Sequence, residues 1–355
     1  MRVVFDVSPL ALPRTGVGNY VLGSLRGLAA AAPEDEVVAF AVTGTRGRRA
    51  IPAALDGVPA SRRLVVLPGA RWVREAWSVL RRPPVERVVG ALDVFHFSDW
   101  MFPAQRGGVR STMVHDLVPL RFPEWTTGWT RRMHGAKYRE TARTADVVFT
   151  NSRFTADDVR DRLGVAEERL VVAPPGVGPA YRPDGPAADL GRPYLLTVAT
   201  LEPRKNLATL VEAWRRLEGE LALAVVGAEG WGEQPQLDHP GIVRLGYVGE
   251  ERLAELYRGA AAAVYPSRFE GFGMPIVEAM AAGTPVVASA HPSMDEASGE
   301  AAVRADPEDP DAIAAGIRRA VEERGRLVPL GLGHARGFTW RRVGEIMLAA
   351  YRERL

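Results

Sequence analysis

The sequence predicts an α/β protein of two domains, each built on a parallel sheet. Three observations carry this. Short β-branched runs alternate with longer stretches of helical periodicity, the pattern of βαβ units. The alternation runs through twice, over residues 1–180 and again from 193. Between the two lies "PPGVGPAYRPDGPAADLGRP" (174–193), dense in proline and glycine and without periodicity, which reads as a linker over 181–192. A chain of 355 residues is also too long for one ordinary core and fits two domains.

The first domain opens on the strand "RVVFDV" (2–7). A helix follows, with Val21, Leu25 and Leu28 on one face. "EVVAFAV", "RLVVLP", "DVFHFS", "STMVHD" and "DVVFTNS" are further strands, and "RLVVAPPGV" closes the half. The second domain runs strand "PYLLTVAT", helix "NLATLVEAWRRLE", strand "LALAVVG", helix "RLAELYRGA", strand "AAVYPS", helix "PIVEAMAAG", strand "TPVVAS" and helix "DPDAIAAGIRRAVEE". Two such domains are expected to leave a cleft between them, with ligands at the carboxyl ends of the strands.

Composition narrows the class. The chain is 46% hydrophobic and 25% charged, with no cysteine, which excludes disulfides, thiolate metal sites and a cysteine nucleophile. No apolar run is long enough to span a bilayer, and the N-terminal strand lacks the layout of a secretory signal. A cytoplasmic location is the simplest expectation. Residues 1–190 carry 26 Lys/Arg against 20 Asp/Glu, and residues 191–355 carry 19 against 23. The positive half is the better candidate for an anionic partner, but it has no dense basic stripe with interleaved aromatics, so nucleic acid is not expected.

Four stretches are candidates for chemistry. In "SRFEGFGMPIVEAMAAG" (267–283), Glu270 and Glu278 flank a glycine turn where a strand ends and a helix begins. Pro275 suits the first helical position, which would put Glu278 in the first turn. The glycines allow close approach of a ligand, and a helix start offers N–H groups to an anion. Read alone, Glu278 could equally complement the helix dipole, with Glu270 solvated. In "TLEPRKNLATL" (200–210), Arg204 and Lys205 stand beside a helix that Asn206 can cap, an arrangement suited to phosphate or to a plain basic surface loop.

"RTGVGNY" (14–20) places Gly16 and Gly18 after the first strand. The third glycine of a dinucleotide fingerprint is replaced by Val21, and no acid ends the next strand, which disfavours a nicotinamide or flavin dehydrogenase. "MVHDLVPLRFPEW" (113–125) puts His115 and Asp116 at a strand end, where a histidine can bind substrate, move a proton or simply be satisfied in the fold. The other histidines form no metal-ligand spacing, and "DPD" (309–311) reads as a capping turn. Residues 71–88, "RWVREAWSVLRRPPVERV", fit a partly buried helix, the wall of an acceptor cleft, or a basic amphipathic helix at the inner face of a membrane.

Taken together, "EGFGMPIVE", "TLEPRKN", "VHDLVPLRFPEW", "TNSRFTADDV" and "APPGV" resemble the retaining family 4 glycosyltransferases, in their mannosyltransferase-like bacterial branch. The resemblance runs from "TGVGNY" to "FTWRRVGEIMLAAYRERL". It implies a GT-B fold, two Rossmann-like domains facing a central cleft. The first (1–180) would hold the acceptor and the second (193–337) the nucleotide-sugar donor, while a helix over 338–355 crosses back to the first. Carried over by motif, Glu270 would hold the donor sugar with backbone N–H groups of the Gly271–Met274 turn, chiefly Phe272, Gly273 and Met274. Glu278 would hold the ribose, and Arg204 and Lys205 the departing diphosphate. Gly16 and Gly18 would lie near that diphosphate, His115 would meet the donor sugar or the acceptor, and Asp116 the acceptor. The loop reads Gly-Val-Gly where many relatives have adjacent glycines, which bears on Gly18 more than on Gly16.

The implied reaction moves a hexose, with GDP-mannose the first donor and a UDP-sugar next, without a metal or other cofactor. The acceptor would be a saccharide, a lipid-linked molecule or a small molecule. A sugar-nucleotide epimerase, or a non-catalytic module binding nucleotide sugar or membrane, could use the same architecture.

Overall fold

The computed structural model describes residues 1–98, 100–232 and 236–355. The chain divides into two compact units, Met1–Gly176 with Thr339–Leu355, and Val177–Phe338. Each is a parallel sheet with helices on its two faces, the Rossmann-like α/β arrangement.

The first unit holds strands β1 (Arg2–Asp6), β2 (Glu36–Thr43), β3 (Ser61–Val66), β4 (Val94–Phe97), β5 (Val109–Val114), β6 (Val147–Thr150) and β7 (Leu170–Val172). Its helices are α1 (Gly16–Ala31), α2 (Thr45–Ala54), α3 (Ala70–Leu80), α4 (Glu86–Val89), α5 (Val118–Arg121), α6 (Gly128–Thr144) and α7 (Arg153–Leu163). The strand order is β3-β2-β1-β4-β5-β6-β7. The second unit holds β8 (Tyr194–Val198), β9 (Ala222–Val226), β10 (Ile242–Gly246), β11 (Ala262–Tyr265), β12 (Val286–Ser289) and β13 (Ala302–Ala305). Its helices are α8 (Leu207–Arg215), α9 (Glu250–Gly259), α10 (Met274–Ala281), α11 (Asp295–Ser298), α12 (Pro310–Glu322) and α13 (Arg324–Ala335), and its strand order is β10-β9-β8-β11-β12-β13.

Burial on both faces explains why the strands read as continuous apolar runs. Every residue of β4, β9 and β11 is buried. Side chains alternate between layers as the pleat requires: Val3 and Phe5 join one core of the first unit and Val4 the other. Leu195 and Leu196 divide in the same way in the second. In each sheet the strand order reverses beside the first strand, between β1 and β4 and between β8 and β11. The loops leaving such a pair diverge and open a crevice at the strand ends.

The C-terminal helix α14 (Trp340–Arg354) packs on α1 of the first unit. The two backbones meet at glycines: a Cβ on Gly27 would lie 1.8 Å from the Trp340 carbonyl oxygen, and one on Gly344 2.1 Å from the Gly27 carbonyl. At the far end, Tyr351 reaches Nδ1 of buried His96 at 3.1 Å and the Ser111 hydroxyl at 3.3 Å.

Several readings need correction. The division falls at Gly176, and 181–192 is no free linker: Tyr181 and Ala188 are buried in the core of the second unit. Proline and glycine there signal the absence of repeating backbone hydrogen bonds, which is not absence of packing. Strands β10 and β13 escaped the sequence because they are short edge strands, each with incompletely buried positions and an arginine. Residues 71–88 form two helices, α3 and α4, parted by Pro83 and Pro84. Gly16 and Gly18 lie in the first turn of α1 and not in a loop before it.

Candidate active site

At the switch point of the second unit, two loops leave adjacent strands in different directions. The β8 loop carries Glu202, Arg204 and Lys205, and the β11 loop carries Glu270. The backbone ties them together, Arg268 N donating to Arg204 O at 2.8 Å, and Glu270 N donates to Ser293 Oγ, after β12, at 3.1 Å. Asn206 adds a clamp. It sits at the N-cap position with φ 57°, but its side chain makes no cap hydrogen bond, contrary to the expected role. Its amide instead donates to Pro266 O at 3.2 Å and Pro307 O at 2.6 Å, while its side-chain oxygen accepts from Thr209 at 2.7 Å.

The side chains then close into one network. Glu270 Oε2 accepts from Arg204 Nη1 at 2.7 Å and Oε1 from Lys205 Nζ at 2.6 Å. The Tyr265 hydroxyl donates to Oε1 at 3.0 Å and accepts from Lys205 at 2.9 Å. Glu202 pairs with Arg204 Nε at 2.7 Å. Two cations and two carboxylates thus balance in a nearly buried cluster. Burial by itself raises the Glu270 carboxyl, but Arg204 and Lys205 outweigh it and hold the group down at about 2. Burial and Arg204 lower Lys205, and Glu270 opposes them.

The turn after Glu270 requires glycine at Gly273, which has φ 101° and would place a Cβ 2.9 Å from the Ile276 side chain. Gly271 lies in this turn, and the Phe272 ring is spent in the core against Phe338 at 5.4 Å. Helix α10 begins at Met274 with Pro275 second, so Glu278 stands in the second turn and not the first. It is buried, and no cation among the described residues plays the part of Arg204 for it. Burial chiefly, with the charge of Glu250 adding, pushes its carboxyl up to about 8; the Tyr257 hydroxyl pulls the other way, short of full hydrogen-bond geometry. Standing past the first turn, it is poorly placed for the dipole role considered for it, which falls off within that turn.

In the first unit, Gly16 and Gly18 open α1 behind Thr15. A Cβ on Gly16 would meet nothing within 4 Å, so packing inside the chain does not account for that glycine. Tyr20, one turn on, donates to Ala173 O at 2.8 Å and sets its ring edge-on to His115, centroids 5.1 Å apart. His115 follows β5 directly. Burial first, then Lys137 and His134, lowers its imidazole to about 3, which favours the neutral ring near pH 7. Asp116 turns the chain into α5: its Oδ1 accepts from Val118 N at 3.0 Å and its carbonyl from Tyr138 at 3.1 Å.

The structure thus brings Arg204, Lys205 and Glu270 into direct contact, with Glu278 further along α10, while Gly16, Gly18, His115 and Asp116 belong to the other unit. Sequence reasoning missed Glu202, Tyr265 and Tyr20. Glu202 and Tyr20 lay inside stretches already singled out, and Tyr265 ends the strand that leads into one. Among the described residues no three His, Asp or Glu side chains gather as a metal site would require, and Asp309 caps α12 through Asp311 N and Ala312 N, as "DPD" suggested.

Known proteins share this layout. The family described as Glycosyltransferase Family 4 matches residues 14–181, and Glycosyl transferases group 1 matches 192–323. An O-antigen chain mannosyltransferase B of Escherichia coli is 29% identical over 99% of this chain and 100% of its own. A serotype-specific mannosyltransferase of Escherichia coli is 31% identical over 68% of this chain, which spans only 33% of that protein. Among solved structures, a sucrose-phosphate synthase from Thermosynechococcus elongatus superposes with a TM-score of 0.72 at 19% identity, over 99% and 98% of the two chains. An Anabaena protein in complex with UDP and glucose gives 0.69 at 15% identity, over 99% of both. The two family matches follow one another along most of the chain, over two sheets of the GT-B kind; the chain is a glycosyltransferase, and the family it belongs to is glycosyltransferase family 4.

Proposed function

We propose that this protein transfers a hexose, with retention of anomeric configuration and without a metal, from a nucleotide diphosphate sugar to a saccharide, lipid-linked or small-molecule acceptor, in polysaccharide or glycoconjugate synthesis. The observation that carries this reading is the Glu270–Arg204–Lys205 cluster at the switch point of the second unit. When the bond from the anomeric carbon to the diphosphate breaks, negative charge grows on the leaving oxygens. Preorganised cations stabilise that charge more in the transition state than before it. The acceptor oxygen bonds to the same face, and its proton goes to the departing phosphate. Arg204 and Lys205 receive the diphosphate, Glu270 orients sugar hydroxyls with the Gly271–Met274 backbone, and Glu278 meets the ribose. Gly16 and Gly18 approach the diphosphate, and His115 and Asp116 the acceptor.

Glu270 suits positioning better than nucleophilic attack. Both of its oxygens are engaged, and a carboxylate held near 2 is a poor base. GDP-mannose is the first donor to test, because mannosyltransferases stand among the relatives; UDP-sugars come next. A thermal-shift screen of GDP-, UDP-, dTDP- and ADP-linked sugars should single out one donor, since a ligand bound to the native state raises its apparent stability. NMR of the product should show a retained anomeric configuration, and a chelator should leave the rate unchanged. Conversion of the donor to its epimer with no acceptor present, seen by product analysis, would make the protein an epimerase. Nucleotide affinity untouched by Arg204→Ala would sink the site assignment.

A further inference from the structure

Helix α3 presents an apolar face to solvent. Its inward side is occupied: Ala70 and Trp77 are buried, and Arg74 lies over the Trp100 ring at 4.4 Å. At about 100° per residue, Trp72, Val73, Ala76, Val79 and Leu80 fall within a second stripe roughly 120° wide, turned away from that side. Trp72, Leu80 and Val79 are 71%, 69% and 67% exposed. The loop entering the helix adds Val66 and Leu67, each 37% exposed. Six of the 13 large exposed hydrophobics among the described residues thus lie between 66 and 80. Scattered exposed apolar residues are ordinary, but a contiguous set with a polar rim marks an interaction surface.

The rim is cationic. Residues 44–87 carry ten arginines and three acids, +7 in a chain whose whole balance is +2. Arg71 and Arg82 flank the stripe, both exposed. Arg46, Arg48 and Arg49 are exposed on α2, whose N-cap Gly44 approaches the loop at Leu67. One acid on α3, Glu75, is paired with Arg132. An apolar stripe with an aromatic at its edge and arginines around it complements a bilayer with anionic headgroups, where the apolar side chains enter the boundary and the guanidiniums meet phosphate. No helix among the described residues is long and apolar enough to cross a membrane, so the contact is peripheral.

We propose that the α3 face, from Val66 to Leu80 with its arginine rim, docks the first unit on an anionic membrane surface. The inference is independent of the transfer chemistry, because none of these residues belongs to the candidate active site. The test is flotation of the full chain with phosphatidylglycerol/phosphatidylcholine vesicles and with pure phosphatidylcholine vesicles, at low and high salt. The protein should float with the anionic vesicles and be released by salt, and Trp72 emission should shift to the blue. Trp72→Glu with Leu80→Glu should reduce binding tenfold or more, and Arg48→Glu with Arg49→Glu roughly fivefold for each charge removed. Both double variants should keep the wild-type melting temperature and nucleotide binding, since the residues are exposed. Failure of the wild type to float at low salt overturns the proposal, as does equal flotation of the Trp72/Leu80 variant. Self-association abolished by that variant, without vesicle binding, would instead assign the face to a second copy and would also overturn it.

Discussion

Glu270 and Glu278 belong to one segment of the second unit and are almost equally hidden from water, at 7% and 6% exposure. The turn keeps its carboxyl ionised, at about 2, and the helix keeps its carboxyl protonated near neutral pH, at about 8. Burial works in the same direction on both. The difference is the partners: the β8 loop delivers Arg204 and Lys205 to the turn, whereas α10 meets Tyr257 and the distant charge of Glu250. Location at a strand end does not set the charge of an acid; the neighbouring strand's loop does.

The largest effect should come from breaking the turn's side of that contrast. Glu270→Gln leaves Lys205 buried without its counter-charge and Arg204 with Glu202 alone, a loss on the order of 3–5 kcal/mol for a broken buried pair. Chemical denaturation should show it as a lower midpoint with an unchanged slope. The wild-type sign follows from a depressed carboxyl. Glu270 stabilises the fold above its ordinary value of 4.5, and that contribution is lost as pH falls towards about 2. The variant should lack this acid-side loss. Unchanged stability in Glu270→Gln would mean that the cluster carries no net coupling.

Arg204→Ala should come next, with its main cost in the rate. Removing one preorganised donor to a developing oxyanion costs about 10²–10³ in kcat, or ~2.7–4 kcal/mol. The melting temperature should move less than in Glu270→Gln, because Lys205 and Tyr265 still hold the carboxylate. A rate that falls only in proportion to donor affinity would reduce Arg204 to a binding group.

How much of this was legible in the sequence differs between the two glutamates. The fold was largely visible because fully buried parallel strands must be apolar along their whole length, as "ALAVV" and "AAVY" are. The sequence offered Arg204, Lys205 and Glu270 as members of separate loops, and only the β8-β11 pairing makes them contacts. Glu202 and Tyr265 were invisible as site residues for the same reason: nothing local marks an acid as the partner of an arginine two residues on, or a strand-end tyrosine as a donor to a carboxylate five residues later. Glu278 was placed by its spacing from Glu270, but its protonation depends on what the helix packs against, which no spacing contains.

The smallest and sharpest test concerns that protonation. A carboxyl raised to about 8 in the folded chain and ordinary in the unfolded one favours folding most below 4.5, and the advantage is lost as pH rises towards 8. The slope can reach at most ~1.4 kcal/mol per pH unit. Glu278→Gln keeps the shape of the neutral acid and cannot ionise. It should cost ~1 kcal/mol at pH 5, where its amide replaces an already neutral group, and should overtake the wild type by pH 8. The crossing is the diagnostic, to be read from urea midpoints of both proteins across that range. A Glu278→Gln variant that stays below the wild type by the same amount at every pH would show that Glu278 is ionised in the fold, with a partner of its own, and the contrast between the two carboxylates would fail.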